Sequence, residues 1–195
     1  MKRKTKLILT LFIGVFGVFA SEEVRISQFR YAGPVEVRQP VLTDSVNVQG
    51  KAYDAKSLLK SDLAFDKLLS HAVILEADTS GSVTFEAPEK KNALHLLSFY
   101  LNSDRYTKGT LEITGSGSFE VYVNHRSVGN TSELTIEPKR YEVVVKYLTM
   151  EADTCPPTLK AIYKSKDSAE VAASLNPEKK YTMEEMLEGK DFRGG

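Results

Sequence analysis

Three side chains able to contact a ligand lie close together in the stretch FEVYVNHRSVGN, residues 119–130. They are Tyr122, whose ring can stack on a sugar or a peptide, and His125 and Arg126, which are polar and can carry charge. Apolar and polar residues alternate over residues 119–124, which predicts a strand with Tyr122 on its outward face. NHRS then breaks the alternation, so we expect a hairpin corner with His125 and Arg126 exposed. The alternative is that the corner only joins two strands, since loops bind ligands only where the scaffold uses them so.

Tyr100 is the fourth candidate ligand-binding residue. Of the nine tyrosines, Tyr100 and Tyr122 stand out because they lie in predicted strands and out of phase with the apolar face. An outward row of such rings can stack on sugars or peptides. The chain has no tryptophan, the largest flat platform for a sugar. Strand propensity alone also places tyrosines in sheets, so a structural role remains the alternative.

Catalytic motifs are missing from the sequence. GSGSF, residues 115–119, has glycines but not the G-x-S-x-G spacing, and neither H-E-x-x-H nor G-x-x-x-x-G-K occurs. The three histidines, His71, His95 and His125, are far apart in sequence. His95 lies inside an apolar run, which favours a packed histidine over a catalytic base. We therefore expect no catalytic residues in this chain.

Metal ligands and cofactor motifs are equally hard to assemble from the sequence. Asp78, Glu86 and Asp104 could be combined into a metal site, but scattered carboxylates are typical of a solvated surface. The single cysteine, Cys155, cannot form an internal disulfide, and no cationic residue adjoins it, so we expect a buried, inert thiol. The sequence thus predicts neither a metal nor a cofactor.

The N-terminus has the three parts of a secretory signal peptide. Four basic residues in residues 1–6 precede an apolar stretch, residues 7–20, which ends in Val-Phe-Ala. We expect cleavage before Ser21 and export to the periplasm or the cell exterior. The stretch is shorter than the roughly 20 residues that span a bilayer, so we expect no membrane span once the signal is removed.

Charge argues against a nucleic-acid partner. The whole chain has 26 basic and 26 acidic residues, and residues 1–20 hold four of the basic ones and none of the acidic ones. Residues 21–195 therefore carry 22 basic and 26 acidic residues, a net charge of −4. Nucleic-acid binding needs a basic face, so we expect no nucleic-acid partner.

Short strands at intervals of about ten residues, separated by Gly, Pro, Asn and Asp, predict a β-sandwich or barrel over residues 21–163. Gly33-Pro34 is expected to form a turn. Residues 55–70 are leucine-rich and predict one or two helical turns. Residues 164–195 predict a polar linker and then a short helix that begins at a capping box at Thr182.

One part of the sequence resembles a known module. GSFEVYVNHRSVGN with the following LTIEPKRYEVVVKY resembles a strand–turn–strand unit of jelly-roll accessory domains in secreted bacterial hydrolases, usually F-x-V-Y-V-N-G-x-x-V-G. Asn124 matches the turn asparagine, and His125 stands where glycine is usual. We therefore expect a less tight turn than the primed type favoured by Asn-Gly. FRYAGPVEVRQP also looks like the first strand of such domains. The resemblance covers residues 24–163 and implies a jelly-roll β-sandwich.

The C-terminal segment carries a second resemblance. KKYTMEEMLEGKDFRG is similar to the segment that leads into the β-propeller of dipeptidyl peptidase IV-like and other prolyl oligopeptidase family serine peptidases. Thr182, Glu184, Met186 and Phe192 match its T-x-E-x-hydrophobic pattern. The resemblance implies the N-terminal accessory domain of a secreted bacterial peptidase, whose catalytic Ser, Asp and His would lie beyond Gly195. No catalytic residue of that family can be assigned in this chain.

These observations predict a non-catalytic accessory module of an exported serine peptidase-like protein. Its partner would be the catalytic or propeller domain of the same longer protein, which it would position or shield. The alternative is a stand-alone module that binds carbohydrate or a surface, with a glycan or peptide as ligand. A complete small hydrolase is disfavoured because no nucleophile–base pair is visible.

Overall fold

The computed structural model describes residues 23–35, 46–52, 57, 59–60, 63–87, 92–138, 140–150, 153–167 and 170–175. Strands dominate these residues, and they form two antiparallel sheets that pack face to face. The predicted mainly β sandwich is therefore confirmed. The predicted signal peptide, 1–20, and the predicted helix at Thr182 lie outside the described residues.

The first sheet has five strands. Its order places the long strands in the middle and the two shortest strands at one edge, where both pair with the same long strand. The strands, in spatial order, are β1 (Glu23–Arg25), β11 (Thr158–Ser165), β6 (Thr107–Gly115) and β9 (Thr131–Ile136), with β4 (Ser82–Thr84) beside β1 on β11.

The second sheet has seven strands and carries the candidate site. Its spatial order is β3 (Val73–Glu76), β2 (Gln28–Val35), β5 (Ala93–Ser103), β10 (Arg140–Thr149), β7 (Ser118–Val123) and β8 (Arg126–Val128), with β12 (Val171–Ser174) also paired to β5. β5 and β10 pair at the centre, from Ala93↔Thr149 to Asn102↔Arg140.

The main core lies between the two sheets. Alternate residues of each strand point inward, as the period of two in their sequences predicts. Val121 and Val123 of β7 lie in this core, which confirms the predicted phase of that strand. The fully buried aromatic rings there include Phe29, Phe99 and Tyr163.

A second apolar layer covers the outer face of the seven-stranded sheet. A short helix, α1 (Phe65–Leu69), packs with Leu59 and Leu63 on the outward residues of β5 and β10. Residues 93–101 of β5 are consequently buried on both faces, which explains why their sequence is nearly continuously apolar instead of alternating. The predicted helical turn in residues 55–70 is confirmed by α1.

Gly33 and Pro34 lie within β2 instead of ending it, so the predicted turn there is wrong. β2 pairs with β5 through Ala32↔Leu96 and again through Val35↔Leu94, with an irregular register between the two pairs. The extra residue forms a bulge around the cis Gly33–Pro34 bond. A Cβ on Gly33 would lie 2.7 Å from His95 Nδ1, so the close approach of the backbone requires glycine.

β12 lies in the segment that the sequence predicts as a linker. It pairs antiparallel with β5 over Val171↔Ser103 to Ser174↔Tyr100. The sandwich therefore extends through Ser174, beyond residue 163. Only Val171 of this strand is buried, so its sequence shows no alternation that would predict a strand. Among the described residues, no helix is long and apolar enough to cross a membrane.

Candidate binding site

The corner at NHRS is a two-residue turn between β7 and β8. Val123 pairs with Arg126, and the two residues between them have φ of 46° at Asn124 and 65° at His125. Positive φ at both positions is the signature of a primed hairpin turn, so the expectation of a less tight turn is wrong. Asn124 also binds β10, which offsets the cost of positive φ in the turn. Its Oδ1 accepts the backbone N–H of Glu142 at 2.9 Å, and its own N–H donates to the Glu142 carbonyl at 2.9 Å.

His125→Gly should raise the free energy of unfolding by about 0.5–1 kcal/mol, because glycine enters the left-handed region without the steric cost that a Cβ brings. Urea denaturation at neutral pH measures the change. His71→Gly is the matched control, since His71 is exposed and has no positive φ, and it should give no gain. An equal or lower stability of His125→Gly would contradict a strained turn.

A cleft of about 650 Å³ opens beside this turn, on the outer face of the seven-stranded sheet. One wall is the segment that leads into α1, and the other is formed by β7, β10 and the turn. The lining residues are Lys60, Leu63, Ala64, Phe65, Asp66, Lys67, Tyr122, His125 and Lys146. Two of the four candidates from the sequence, Tyr122 and His125, are therefore brought together here.

Lys146 connects the sheet to the segment before α1, which forms one wall of the cleft. Its side chain is almost fully buried, at 3% exposed, and its Nζ donates to the Leu59 carbonyl at 2.6 Å. The ammonium also lies 5.9 Å from the ring centroid of Phe65 and 5.4 Å from that of Tyr122. A cation against the negative faces of two rings is a favourable arrangement. One end of the cleft thus has a fixed positive charge.

Tyr122 forms the middle of the cleft. It lies on the outward face of β7, as predicted, and is half-buried because the Phe65 ring packs edge-on against it at a centroid distance of 5.1 Å. Its hydroxyl donates to Glu120 at 2.6 Å. Burial, followed by that carboxylate, raises the pKa of Tyr122 to about 12, so the hydroxyl stays protonated near neutral pH.

The other end of the cleft is acidic. Glu142 Oε2 lies 3.9 Å from His125 Nε2, and Glu142 Oε1 accepts the Tyr100 hydroxyl at 3.1 Å. Asp66, in the first turn of α1, places its carboxylate in the same group: one ligand atom from each of Asp66, His125 and Glu142 lies within 4.8 Å of the others. β10, the β7–β8 turn and α1 therefore each contribute one polar side chain.

Tyr100 is a buried support for Glu142 and does not present its ring to a ligand. It points to the outer face, as predicted, but it is only 4% exposed. Arg30 donates to its hydroxyl at 2.9 Å, and the Arg140 guanidinium lies 4.8 Å from its ring centroid. Arg126, the remaining candidate, is exposed on β8 and does not line the cleft.

His95 is packed in the interior, as predicted, between two hydroxyls. The Tyr31 hydroxyl lies 2.9 Å from Nδ1, and Thr149 Oγ1 lies 2.9 Å from Nε2. Because Thr149 donates its own proton to the Ala93 carbonyl at 3.3 Å, it accepts from Nε2–H, and Tyr31 donates to Nδ1. Burial lowers the pKa of His95 to about 4. His95 and Thr149 are buried, so this hydroxyl–imidazole pair has no access to a substrate.

The other residues weighed in the sequence take structural or surface positions. Asp78 caps its own turn, since its Oδ1 accepts the N–H groups of Ser80 at 2.8 Å and Ser82 at 3.1 Å. Glu86 and Asp104 are exposed, and neither belongs to a metal-ligand cluster among the described residues. Cys155 is exposed, so the expectation of a buried thiol is wrong. It lies in an irregular stretch directly before β11.

Sequence reasoning missed Asp66, Glu142 and Lys146. Glu142 and Lys146 stand as polar residues among the apolar ones of YEVVVKYL, residues 141–148, and this pattern was the signal that the sequence offered. Asp66 is one of two acidic residues in the leucine-rich segment, residues 55–70. No local sequence pattern indicates that Asp66 lies near Glu142. The two residues are far apart in sequence and come together only because α1 packs on the sheet.

Comparison with known proteins gives only distant structural likenesses. No protein-family model and no curated protein matches the sequence. A solved structure of β-glucosidase from Kluyveromyces marxianus in complex with glucose has a TM-score of 0.42 and 13% identity, over 72% of this chain and 16% of that chain. A selenomethionine-labelled β-glucosidase from the same organism has a TM-score of 0.39 and 12% identity, over 84% of this chain and 18% of that one. This chain therefore spans less than a fifth of those proteins, and so distant a likeness supports no conclusion about function.

Proposed function

We propose that this chain is a non-catalytic accessory β-sandwich module of an exported protein, and that it binds a small polar ligand, with a glycan as the preferred class, in the cleft beside the β7–β8 turn. The observation that carries the proposal is the half-buried Tyr122 ring, which lies between a fixed cation, Lys146, and a carboxylate, Glu142, on the same face of the sheet. An aromatic ring flanked by a few placed polar groups is the usual composition of a small-molecule site.

The dimensions of the cleft suit a ligand of two or three units. Lys146 lies at one end of the cleft, and Glu142 lies beside His125 at the other end without lining the cleft itself; the two are four residues apart on β10, or about 13 Å along a strand. Three extended peptide residues span about 10 Å, and a disaccharide is of similar length. The cleft of about 650 Å³ lies within the range typical of small-ligand sites.

The polar groups of the cleft favour a glycan over a peptide. Lys60 and Lys67 supply donors to one ligand, and Asp66 supplies acceptors to the same ligand. Sugar hydroxyls both donate and accept, so one neutral sugar can satisfy both kinds of group at any point along the cleft. A peptide backbone offers the same groups only at fixed intervals.

The larger context remains the one that the sequence suggests. Membership of an exported serine peptidase-like protein rests on residues 179–194 and on the signal peptide, both outside the described residues. In that context the sandwich would position or shield the catalytic or propeller domain, and the cleft would hold a glycan or a peptide segment near it. A stand-alone carbohydrate- or surface-binding module uses the same cleft without that partner.

Titration with a defined ligand panel tests the proposal. The panel contains cello-oligosaccharides, N-acetylglucosamine oligomers, oligogalacturonates and tripeptides, and binding is followed by calorimetry and by amide chemical shifts. We expect an oligosaccharide to bind and to shift the amides of residues 120–125. Tyr122→Leu should weaken binding about 3- to 10-fold, which corresponds to the ~0.5–1.5 kcal/mol of an aromatic contact.

Tyr106→Leu is the matched control, since Tyr106 is exposed and lies outside the cleft, and it should bind as the wild type does. Thermal melts of both variants show whether each is folded at the titration temperature. The proposal fails if no member of the panel binds at 10 mM (a concentration near the weakest affinity of interest, about −3 kcal/mol) or if both substitutions weaken binding equally.

A further inference from the structure

Three side chains with metal-binding atoms meet at the acidic end of the cleft. Asp66 comes from α1, His125 from the β7–β8 turn and Glu142 from β10, and one ligand atom of each lies within 4.8 Å of the other two. They are separated by 59 and 17 positions in the sequence, so the group exists only because the helix packs over the sheet. An imidazole nitrogen and two carboxylate oxygens are a ligand set that divalent transition metals accept.

We propose that Asp66, His125 and Glu142 bind one divalent transition-metal ion of the Zn²⁺ class, through His125 Nε2 and one oxygen of each carboxylate. Three protein ligands leave a coordination position open toward the cleft, as in zinc sites that also bind water or a ligand. The inference goes beyond the proposed glycan binding and does not rest on it, because the ion binds whether or not the cleft holds a sugar.

The distances require only a small closure of the side chains. In a tetrahedral zinc site with bonds of 2.0–2.2 Å, ligand atoms are about 3.3–3.5 Å apart. His125 Nε2 and Glu142 Oε2 are already at 3.9 Å. His125 and Asp66 are exposed, so rotation about their side-chain bonds can bring their ligand atoms in without moving the backbone.

Glu142 is held as a metal ligand would be. The Tyr100 hydroxyl donates to its Oε1, which leaves Oε2 directed at His125, and Arg30 in turn donates to Tyr100. Asn124 fixes the Glu142 backbone on both its N–H and its carbonyl. Hydrogen bonds of this kind orient ligating carboxylates and tune their affinity for the ion. Tyr100 is thus a positioning residue for the proposed site.

The chemistry of the ligands favours Zn²⁺ over Ca²⁺ and Mg²⁺. Calcium and magnesium take oxygen ligands almost exclusively, and Ca²⁺ requires six to eight of them. Here one of three protein ligands is an imidazole, which suits Zn²⁺, Co²⁺ and their neighbours. The ion would also compensate two carboxylates that lie close together at one end of the cleft.

Metal titration of the full chain tests the inference. The exposed Cys155 is a competing zinc ligand, so all proteins carry Cys155→Ser. After treatment with a chelator and its removal, Zn²⁺ alone is titrated by calorimetry, and Co²⁺ is added for its visible absorption spectrum. We expect one ion per chain, a rise in Tm with Zn²⁺, and no such rise with Ca²⁺.

Substitutions in the cluster identify the ligands. His125→Asn, chosen because asparagine tolerates positive φ, and Glu142→Gln should each lower the Zn²⁺ affinity at least 10-fold and alter the Co²⁺ spectrum. Tyr100→Phe should lower it about 10-fold while leaving one ion per chain, the result of losing an orienting hydrogen bond. His71→Asn, which removes an exposed histidine outside the cluster, should bind as the parent does.

The inference is overturned if Zn²⁺ does not bind at 1 mM, if binding survives both His125→Asn and Glu142→Gln unchanged, or if His71→Asn weakens it as much as His125→Asn. Circular dichroism and thermal melts confirm that each variant is folded before titration. If His125→Asn fails to fold, Glu142→Gln alone decides, because the amide retains an acceptor for the Tyr100 hydroxyl.

Discussion

Val121→Asp should lower the free energy of unfolding by more than about 4 kcal/mol, a large part of a stability that is typically 5–15 kcal/mol. Val121 is 0% exposed and lies in the core between the sheets. Its neighbours in register are Val128 on β8 and Val145 on β10, so a carboxylate there finds no polar partner. Burying an unpaired charge costs several kcal/mol, and protonation to avoid it costs nearly as much near neutral pH.

Urea denaturation followed by far-UV circular dichroism measures this loss. Ser118→Asp is the matched control, since Ser118 is exposed on the same strand, and it should stay within about 0.5 kcal/mol of wild type. Val121→Thr, which adds a hydroxyl without a charge, should fall between the two. A Val121→Asp protein with a wild-type melt would show that β7 has the opposite phase.

Between pH 6.5 and pH 4 the protein should lose about 3 kcal/mol of stability through His95 alone. Its pKa is about 4 in the folded state, against an ordinary value of 6.5, so below pH 6.5 the unfolded chain binds a proton that the folded protein does not. Stability therefore falls as the pH drops through this window and the His95 contribution levels off below pH 4. A difference of about 2.5 pKa units corresponds to about 3 kcal/mol.

The physical cause is the environment described for His95. The neutral ring is 0% exposed, and both nitrogens are already bonded, to Tyr31 and to Thr149. A second ring proton would turn the Tyr31 hydroxyl from donor to acceptor, and that hydroxyl keeps its own proton because burial raises the pKa of Tyr31 to about 12. Charging the buried imidazole costs solvation, which is the cause that lowers its pKa.

Comparison with His95→Gln isolates this contribution from the acid titration of carboxylates. Unfolding free energies are measured at several pH values from 7.5 to 4, and the wild type should lose about 3 kcal/mol more than His95→Gln over that range. His71→Gln, at an exposed site, should follow the wild-type profile. Parallel profiles for wild type and His95→Gln would contradict a buried neutral His95.

The two proposed sites share the cleft but make separate demands on it. Tyr122 and the lysines would contact a sugar, and Asp66, His125 and Glu142 would bind an ion. His125 connects them, because glycine at that position should stabilise the turn and remove a metal ligand at the same time. A gain in stability together with a loss of Zn²⁺ binding in His125→Gly would show that a strained residue is kept for function.

The sequence by itself determined most of the sandwich and the phase of β7, but not β12 or the course of β2 through Gly33 and Pro34. The alternation around Val121 and Tyr122 predicted which of them faces the core, and the apolar run around His95 predicted that this ring is packed inside. These features are local, since a period of two in side-chain direction follows from the backbone of any strand. The histidine at a turn position where glycine is usual was also visible, but its effect on the turn was predicted wrongly because Asn124 binds a strand 18 residues away.

Only the tertiary structure decided which polar residues meet. The order β5–β10–β7 places Tyr100, Glu142 and the His125 turn side by side, and α1 then lays Asp66 over them. The tertiary packing also buries Lys146 and Tyr100. Tyr100 therefore supports Glu142 instead of offering its ring to a ligand. Sequence patterns record the direction of each side chain along its own element. Which elements become neighbours depends on sheet order and on the packing of α1, and no local pattern records either.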